Sequence, residues 1–189
     1  MPGTEPLSDD PRPDGLRNAD SLVLVLTGDG KGKSSSAFGM VMRAVARGWK
    51  VAVVQFIKSG DWQAGEQKVG EELGVTWMSL GGGFTWDSEN IEHDRRLAQD
   101  AWRTAADVIG SGEFDLVVLD EITYLASWKW VDVADIVATL VNRPRHVSVV
   151  CTGRDALPEL VEVADTVTSM TNVKHAYDRG IAAKRGIDY

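Results

Sequence analysis

A chain of 189 residues is long enough for one domain with a sizeable core, and 43% hydrophobic with 25% charged residues is ordinary globular usage. A net charge of −8 and a pI near 4.9 leave no basic surplus for nucleic acid, so an anionic ligand has to be held by a local cluster of donors. One cysteine cannot form an internal disulfide, no apolar run approaches the ~18 residues that cross a bilayer, and no basic-then-apolar leader is present. The expectation is a soluble, cytoplasmic protein with no nucleic-acid or membrane partner.

Four of the six prolines fall in the first 13 residues among Asp, Glu, Ser and Gly, so residues 1–20 read as a flexible N-terminal arm. Regular patterning begins at Ser21, and 21–189 reads as a single domain. SLVLVLTG predicts a buried strand, AFGMVMRAVARG a helix stopped by Gly48, and VAVVQFI a second buried strand. Residues 63–73 predict a helix, VTWMS a short strand, 88–110 a long helix and FDLVVLD another strand. VDVADIVATLV (helix), HVSVVCTG (strand), ALPELVEVA (helix, Pro158 in its first turn) and ADTVTSM (strand) complete the alternation. Continuous Val/Leu runs separated by helices predict an α/β fold, a mostly parallel central sheet with helices on both faces.

The first strand hands over to the first helix through TGDGKGKSSS, residues 27–36. Glycines let a backbone wrap an anion with converging N–H groups, Lys33 adds a positive charge, and the Ser34 hydroxyl can ligate Mg²⁺. The motif G-x-x-x-x-G-K-[ST] is met at Gly32, Lys33 and Ser34, while Thr27 stands where its first glycine belongs. Lys31 puts a second cation at the loop tip. The pattern predicts a P-loop nucleotide-binding fold that takes a nucleoside triphosphate. It does not name the reaction.

FDLVVLDE ends a strand on Asp120 and Glu121, at the carboxyl edge where open α/β folds bind ligands; at least one of the pair suits a metal, with a helix start as the plain alternative. Arg43 and Arg154 are candidates for phosphate contact or ordinary surface cations, and Gln55 and Lys58 end the second strand at the ligand edge with the same two readings. His93, His146 and His175 are scattered and, with Cys151 alone, give no zinc spacing. No acid–base pair beyond Asp120 and Glu121 stands out. GGGFTW, residues 81–86, mounts Phe84 and Trp86 on compliant backbone; taken alone, a loop anchored on the core is the simpler reading.

Taken together, TGDGKGKS, the following AFG, VVQFIKS with Gly65–Glu66, GFTW, VVLDEITY, the NRP at 142–144, TGR at 152–154, ADTVT and VKHAYDRGIAAKRGIDY resemble the P-loop type of ATP:cob(I)alamin (corrinoid) adenosyltransferase. The resemblance runs from Leu24 to Tyr189 and includes the threonine at position 27. It implies transfer of the 5′-deoxyadenosyl group of ATP to the cobalt(I) of a reduced corrinoid, with triphosphate leaving. Cobalt is the nucleophile, so the protein's tasks are positioning and charge stabilisation. By the same resemblance Gly28, Asp29, Gly30, Lys31, Gly32, Lys33, Ser34 and Ser35 bind ATP; Arg43 and Arg154 join that set from their position alone. Ser34 and Glu121 bind Mg²⁺ (or Mn²⁺), with Asp120 supporting them. Lys33 and Glu121 join the catalytic set with Phe84 and Trp86, which face the corrin and displace its lower ligand; removing an axial donor eases reduction of the cobalt.

The resemblance further implies a homodimer and a flavin-dependent reductase as electron source. The family's charged N-terminal helix over the site is not matched by residues 1–20, which are acidic and proline-rich. Without the resemblance, an ATPase, a small-molecule kinase or a nucleotide-sensing module would use the same loop.

Overall fold

The computed structural model describes residues 9–57, 65–82 and 91–188. Six strands form one sheet: β1 (Val23–Thr27), β2 (Val51–Gln55), β3 (Thr76–Ser79), β4 (Leu116–Asp120), β5 (Ser148–Thr152) and β6 (Thr166–Ser169). Their order is β3-β2-β4-β5-β1-β6, and every pairing is parallel. The helices between them are α1 (Lys33–Val45), α2 (Gly65–Glu72), α3 (Ile91–Gly110), α4 (Ile122–Ser127), α5 (Val133–Val141) and α6 (Pro158–Val163). The expected α/β architecture is therefore present, with the sheet wholly rather than mostly parallel.

Strand residues alternate between two apolar layers, as a pleat of period two requires. Val25, Ala52, Val54, Val117, Leu119, Val149 and Cys151 pack with residues of α3, α4, α5 and α6. Leu26, Val51, Val53, Leu116, Val118 and Val150 pack with Ala37, Phe38, Val41 and Ala44 of α1. Both faces are covered, which is why the strands read as unbroken Val/Leu runs.

Two differences from the sequence expectation concern helix ends and short pieces. α1 begins at Lys33, so the serines of the phosphate loop are already helical. α4 begins directly after Glu121, where a helix start is the alternative reading of the carboxylate pair; its extent is not marked in the sequence, because ITYLAS is six residues long, four of them buried, with no polar face. Residues 9–20 form no helix or strand and are exposed, and 171–188 contain only a 3₁₀ turn at Tyr177–Arg179.

Candidate active site

All six strands end on a polar residue: Thr27, Gln55, Ser79, Asp120, Thr152 and Ser169. Because the sheet is parallel, these residues share one edge, and they form a polar rim on an apolar sheet. The phosphate loop rises from this rim between β1 and α1. Gly28 and Gly32 take positive φ values of 90° and 112°, conformations that side chains other than glycine seldom adopt. Gly30 donates its N–H to the Met170 carbonyl at 2.8 Å, and a Cβ there would lie 2.7 Å from the Thr171 carbonyl oxygen. The loop is thus bound on one side to the chain that leaves β6.

Thr27, the residue in place of the motif's first glycine, has a structural task. Its hydroxyl accepts the Ala156 N–H at 3.2 Å, and its carbonyl accepts the Met170 N–H at 2.8 Å. The start of the loop is held between the segments that follow β5 and β6. Glycine could not provide the first of these bonds.

Lys33 folds its Nζ onto the Gly28 and Gly30 carbonyls, 2.7 Å from each. Burial, and after it the charge of Arg154, holds its ammonium below lysine's usual range, while Asp29 and Glu121 pull the other way. These four groups are therefore close enough to feel one another's charge. Tyr124 belongs to the same cluster: burial pushes its phenol upward, with Glu121, Asp155 and Asp29 adding to the rise and Arg154 opposing it. Tyr124 lies in the VVLDEITY motif, yet its position became visible only with α4, which turns it back toward the loop.

The other expected ATP-binding residues divide by position. Ser34 is half-buried in the first turn of α1, and Asp29, Lys31 and Ser35 are exposed around it. Lys31 makes an ion pair with Asp188. Arg43 is not brought to the loop: it sits in the last turn of α1, ten residues past Lys33, or about 15 Å of helix. A cation there complements the helix dipole. Phe84, Trp86 and Lys58 lie outside the described residues.

Asp120 is fully buried, and both its oxygens are met by protein donors. Thr152 Oγ1 donates to Oδ1 at 2.8 Å, and Gln55 Nε2 donates to Oδ2 at 3.0 Å. Glu121, next in sequence, has φ 69° and is half-buried, with its backbone N–H given to Thr152 Oγ1 at 3.0 Å. The two carboxylates therefore differ: Asp120 is fully buried inside the rim and Glu121 is half-buried. Gln55 is not open to phosphate, since its carboxamide is committed to protein partners. Among the described residues no three His, Cys, Asp or Glu side chains gather into a metal-binding group. No described helix is long and apolar enough to cross a membrane.

Three stretches distant in sequence, Phe38–Gly39, Gly65–Glu66 and Gly186–Ile187, line one cavity of about 420 Å³ with Met42, Val69 and Trp77. The Phe38 and Trp77 rings meet there at 5.2 Å.

A parallel sheet whose first strand opens through a lysine-bearing glycine loop, with a carboxylate pair at the end of β4, one strand removed across β5, defines a P-loop nucleotide-binding protein. Within that class the chain belongs to the ATP:corrinoid adenosyltransferase BtuR/CobO/CobP family, whose model matches residues 19–189. It is 42% identical to the corrinoid adenosyltransferase of Escherichia coli K12 over 89% of this chain and 85% of that one. It is 42% identical to the corrinoid adenosyltransferase of Pseudomonas aeruginosa over 92% of this chain and 86% of that one, and 40% identical to corrinoid adenosyltransferase CobA of Salmonella typhimurium LT2 over 89% and 85%. Among solved structures, a KaiC-like protein of Pyrococcus horikoshii OT3 matches with TM-score 0.47 and 15% identity over 81% of this chain and 73% of that one, a likeness too loose to argue from.

Proposed function

We propose that this protein transfers the 5′-deoxyadenosyl group of ATP to the cobalt of a reduced corrinoid such as cob(I)alamin. The observation that carries the reading is the family match across residues 19–189, which takes in the whole phosphate loop and carboxylate pair. In the reaction the cobalt electron pair forms a bond to C5′ of the ribose, the C5′–O bond breaks, and triphosphate leaves with that oxygen. No proton changes hands in this step, which agrees with a site built from cations, amides and one half-buried carboxylate rather than an acid–base pair.

Gly28 to Ser35 cradle the triphosphate, with Lys33 exchanging its two loop carbonyls for phosphate oxygens. In this reading Arg154 and the Tyr124 hydroxyl, which feel the same charges as Lys33, meet the same chain of phosphates. Ser34 and Glu121 offer oxygen donors that fit Mg²⁺ or Mn²⁺, with Asp120 positioning the strand end beneath them. With so few protein donors, phosphate and water would supply the remaining ligands, as is usual for Mg²⁺. The ion would neutralise charge on the departing triphosphate. Phe84 and Trp86 face the corrin and keep an axial base from the cobalt. The same reading includes a homodimer, a cytoplasmic setting and a flavin-dependent reductase that supplies cobalt(I).

The test is a reaction of the purified protein with ATP, Mg²⁺ and chemically reduced cobalamin. A light-sensitive cobalt–carbon product with free triphosphate is expected. ADP and phosphate would make the protein a phosphohydrolase or kinase instead. ATP binding with no turnover would make it a nucleotide sensor.

A further inference from the structure

Gln55 ends β2, the strand next to edge strand β3; it is 1% exposed, and its carboxamide spans the gaps on both sides of β2. On the β3 side its Oε1 accepts from Trp77 Nε1 at 2.9 Å and from Ser79 Oγ at 3.1 Å. On the β4 side its Nε2 donates to Asp120 Oδ2 at 3.0 Å. The directions are fixed by chemistry. An indole N–H can only donate, so the carboxamide oxygen must face Trp77, and its NH₂ must then face Asp120. A backbone N–H likewise can only donate, so the Thr152 hydroxyl, having accepted from Glu121, gives its own hydrogen to Asp120.

The backbone follows the same path. Leu80 donates its N–H to the Gln55 carbonyl at 2.9 Å, and Phe56 donates to the Asp120 carbonyl at 3.2 Å. One residue past Leu80, a Cβ on Gly81 would lie 2.3 Å from the Ile57 carbonyl carbon, so the start of GGGFTW is pressed against the end of β2. Gln55 thus joins the strand that carries Asp120 and Glu121 to the segment that leads into the aromatic pair.

We propose that Gln55 is a positioning residue that sets the nucleotide side of the site and the corrinoid side in register with each other. The inference rests on the adenosyltransferase reading. Loss of the carboxamide falls unevenly on its neighbours. Asp120 keeps Thr152, whereas Trp77 and Ser79 lose their shared acceptor. The corrinoid side is therefore the one that loosens.

The experiment compares wild type with Gln55→Met and Gln55→Asn, using ATP, Mg²⁺ and chemically reduced cobalamin. Gln55→Met keeps volume and removes both hydrogen-bonding ends; it should raise KM for the corrinoid about tenfold while the ATP Kd stays within about twofold. Gln55→Asn keeps the carboxamide on a side chain one methylene shorter, so it should raise the corrinoid KM less than Gln55→Met does, again with the ATP Kd within about twofold. A buried side chain that only filled space would give the larger loss in Gln55→Asn, the smaller of the two side chains.

A corrinoid KM for Gln55→Met within about twofold of wild type, or a larger loss in Gln55→Asn than in Gln55→Met, overturns the proposal. If Gln55→Met does not fold, Gln55→Asn decides alone: a raised corrinoid KM with unchanged ATP Kd supports the proposal, and any other pairing overturns it. If wild type forms no cobalt–carbon product, the functional reading fails and amide hydrogen exchange decides the positioning claim. Leu80 and Gly82 exchanging at least about tenfold faster in the variant, with β4 unchanged, supports it, and unchanged exchange overturns it.

Discussion

Glu121 occupies a left-handed backbone conformation, φ 69°, that disfavours any side chain and costs about 1 kcal/mol. In the proposed reaction the Glu121 carboxylate, not its backbone, is what the site uses. Glu121→Gly should therefore leave thermal stability unchanged or raise it by about 1 kcal/mol while adenosyl transfer falls to background. A variant that loses stability and activity together would mean the carboxylate holds the fold. Lys33 gives the pH dependence at the same scale. Its ammonium is held below the ordinary 10.5, chiefly by burial, so the empty fold disfavours the charged form; that cost to stability is present below the folded pKa and vanishes as pH rises past 10.5. Bound triphosphate reverses the preference. ATP affinity should be full where Lys33 is protonated and decline through the lowered pKa, with a proton taken up on binding along that limb. Calorimetry in buffers of different ionisation enthalpy reads this uptake, and an alkaline limb centred at the ordinary lysine value would contradict it.

At the scale of elements, the junction after β3 is the sharpest case. Alanine at Gly81 would drive a methyl group into the Ile57 backbone, which cannot yield, whereas alanine at Gly82 meets only the ends of Leu97 and Asp94 at 3.3 and 3.4 Å. Gly81→Ala should cut corrinoid adenosylation at least tenfold, equivalent to about 1.4 kcal/mol, and leave ATP binding intact, while Gly82→Ala stays near wild type. Comparable loss from both would place the effect in loop flexibility. Cys151 reports on the sheet itself. It lies in β5 with no exposed surface, and burial pushes its thiol up to about 12. It should resist thiol reagents at pH 8 in the folded protein and react at the rate of global unfolding. The strands were legible because apolar runs such as VAVVQ and LVVLD have few other homes, and their polar last residues were already in the sequence. What was not legible is how those last residues pair. Gln55, Thr152 and Trp77 are 22 or more residues apart in sequence, and parallel register alone brings them together. The phosphate loop was legible for the opposite reason: its glycines, lysine and serine are contiguous. The two readings of Arg43 could not be separated in the sequence, because its distance from the loop depends on how far the helix runs between them.

Over the whole molecule, charge is divided unevenly. The chain carries −8 overall, yet the segment after β6 holds Lys174, Arg179, Lys184 and Arg185 against Asp178 and Asp188. This segment lies beside the phosphate loop and shares with it a cavity of about 400 Å³ lined by Gly30, Lys31, His175, Tyr177 and Asp188. It is attached through little apolar burial: Val173 is 90% exposed, Tyr177 76% and Ile187 79%. At physiological ionic strength fields fade over about 8 Å, so a triphosphate at the loop feels these nearby cations more than the acidic remainder. Burial and charge then predict opposite consequences of removing the segment. A chain ended after Val173 keeps the bond from Gly30 to Met170 and every sheet residue, and burial at about 25 cal/mol per Å² gives the fold little to lose. Its thermal midpoint should stay within about 3 °C of the full chain. Its ATP affinity should fall at least about tenfold, and what binding remains should depend less on salt than in the full chain, because four of the cations that salt would screen are gone. Isothermal titration across a salt series, beside a thermal melt, measures both. Unchanged ATP affinity would confine the electrostatics of the site to Lys31, Lys33 and Arg154, and a large drop in the midpoint would make the segment part of the fold rather than part of the site.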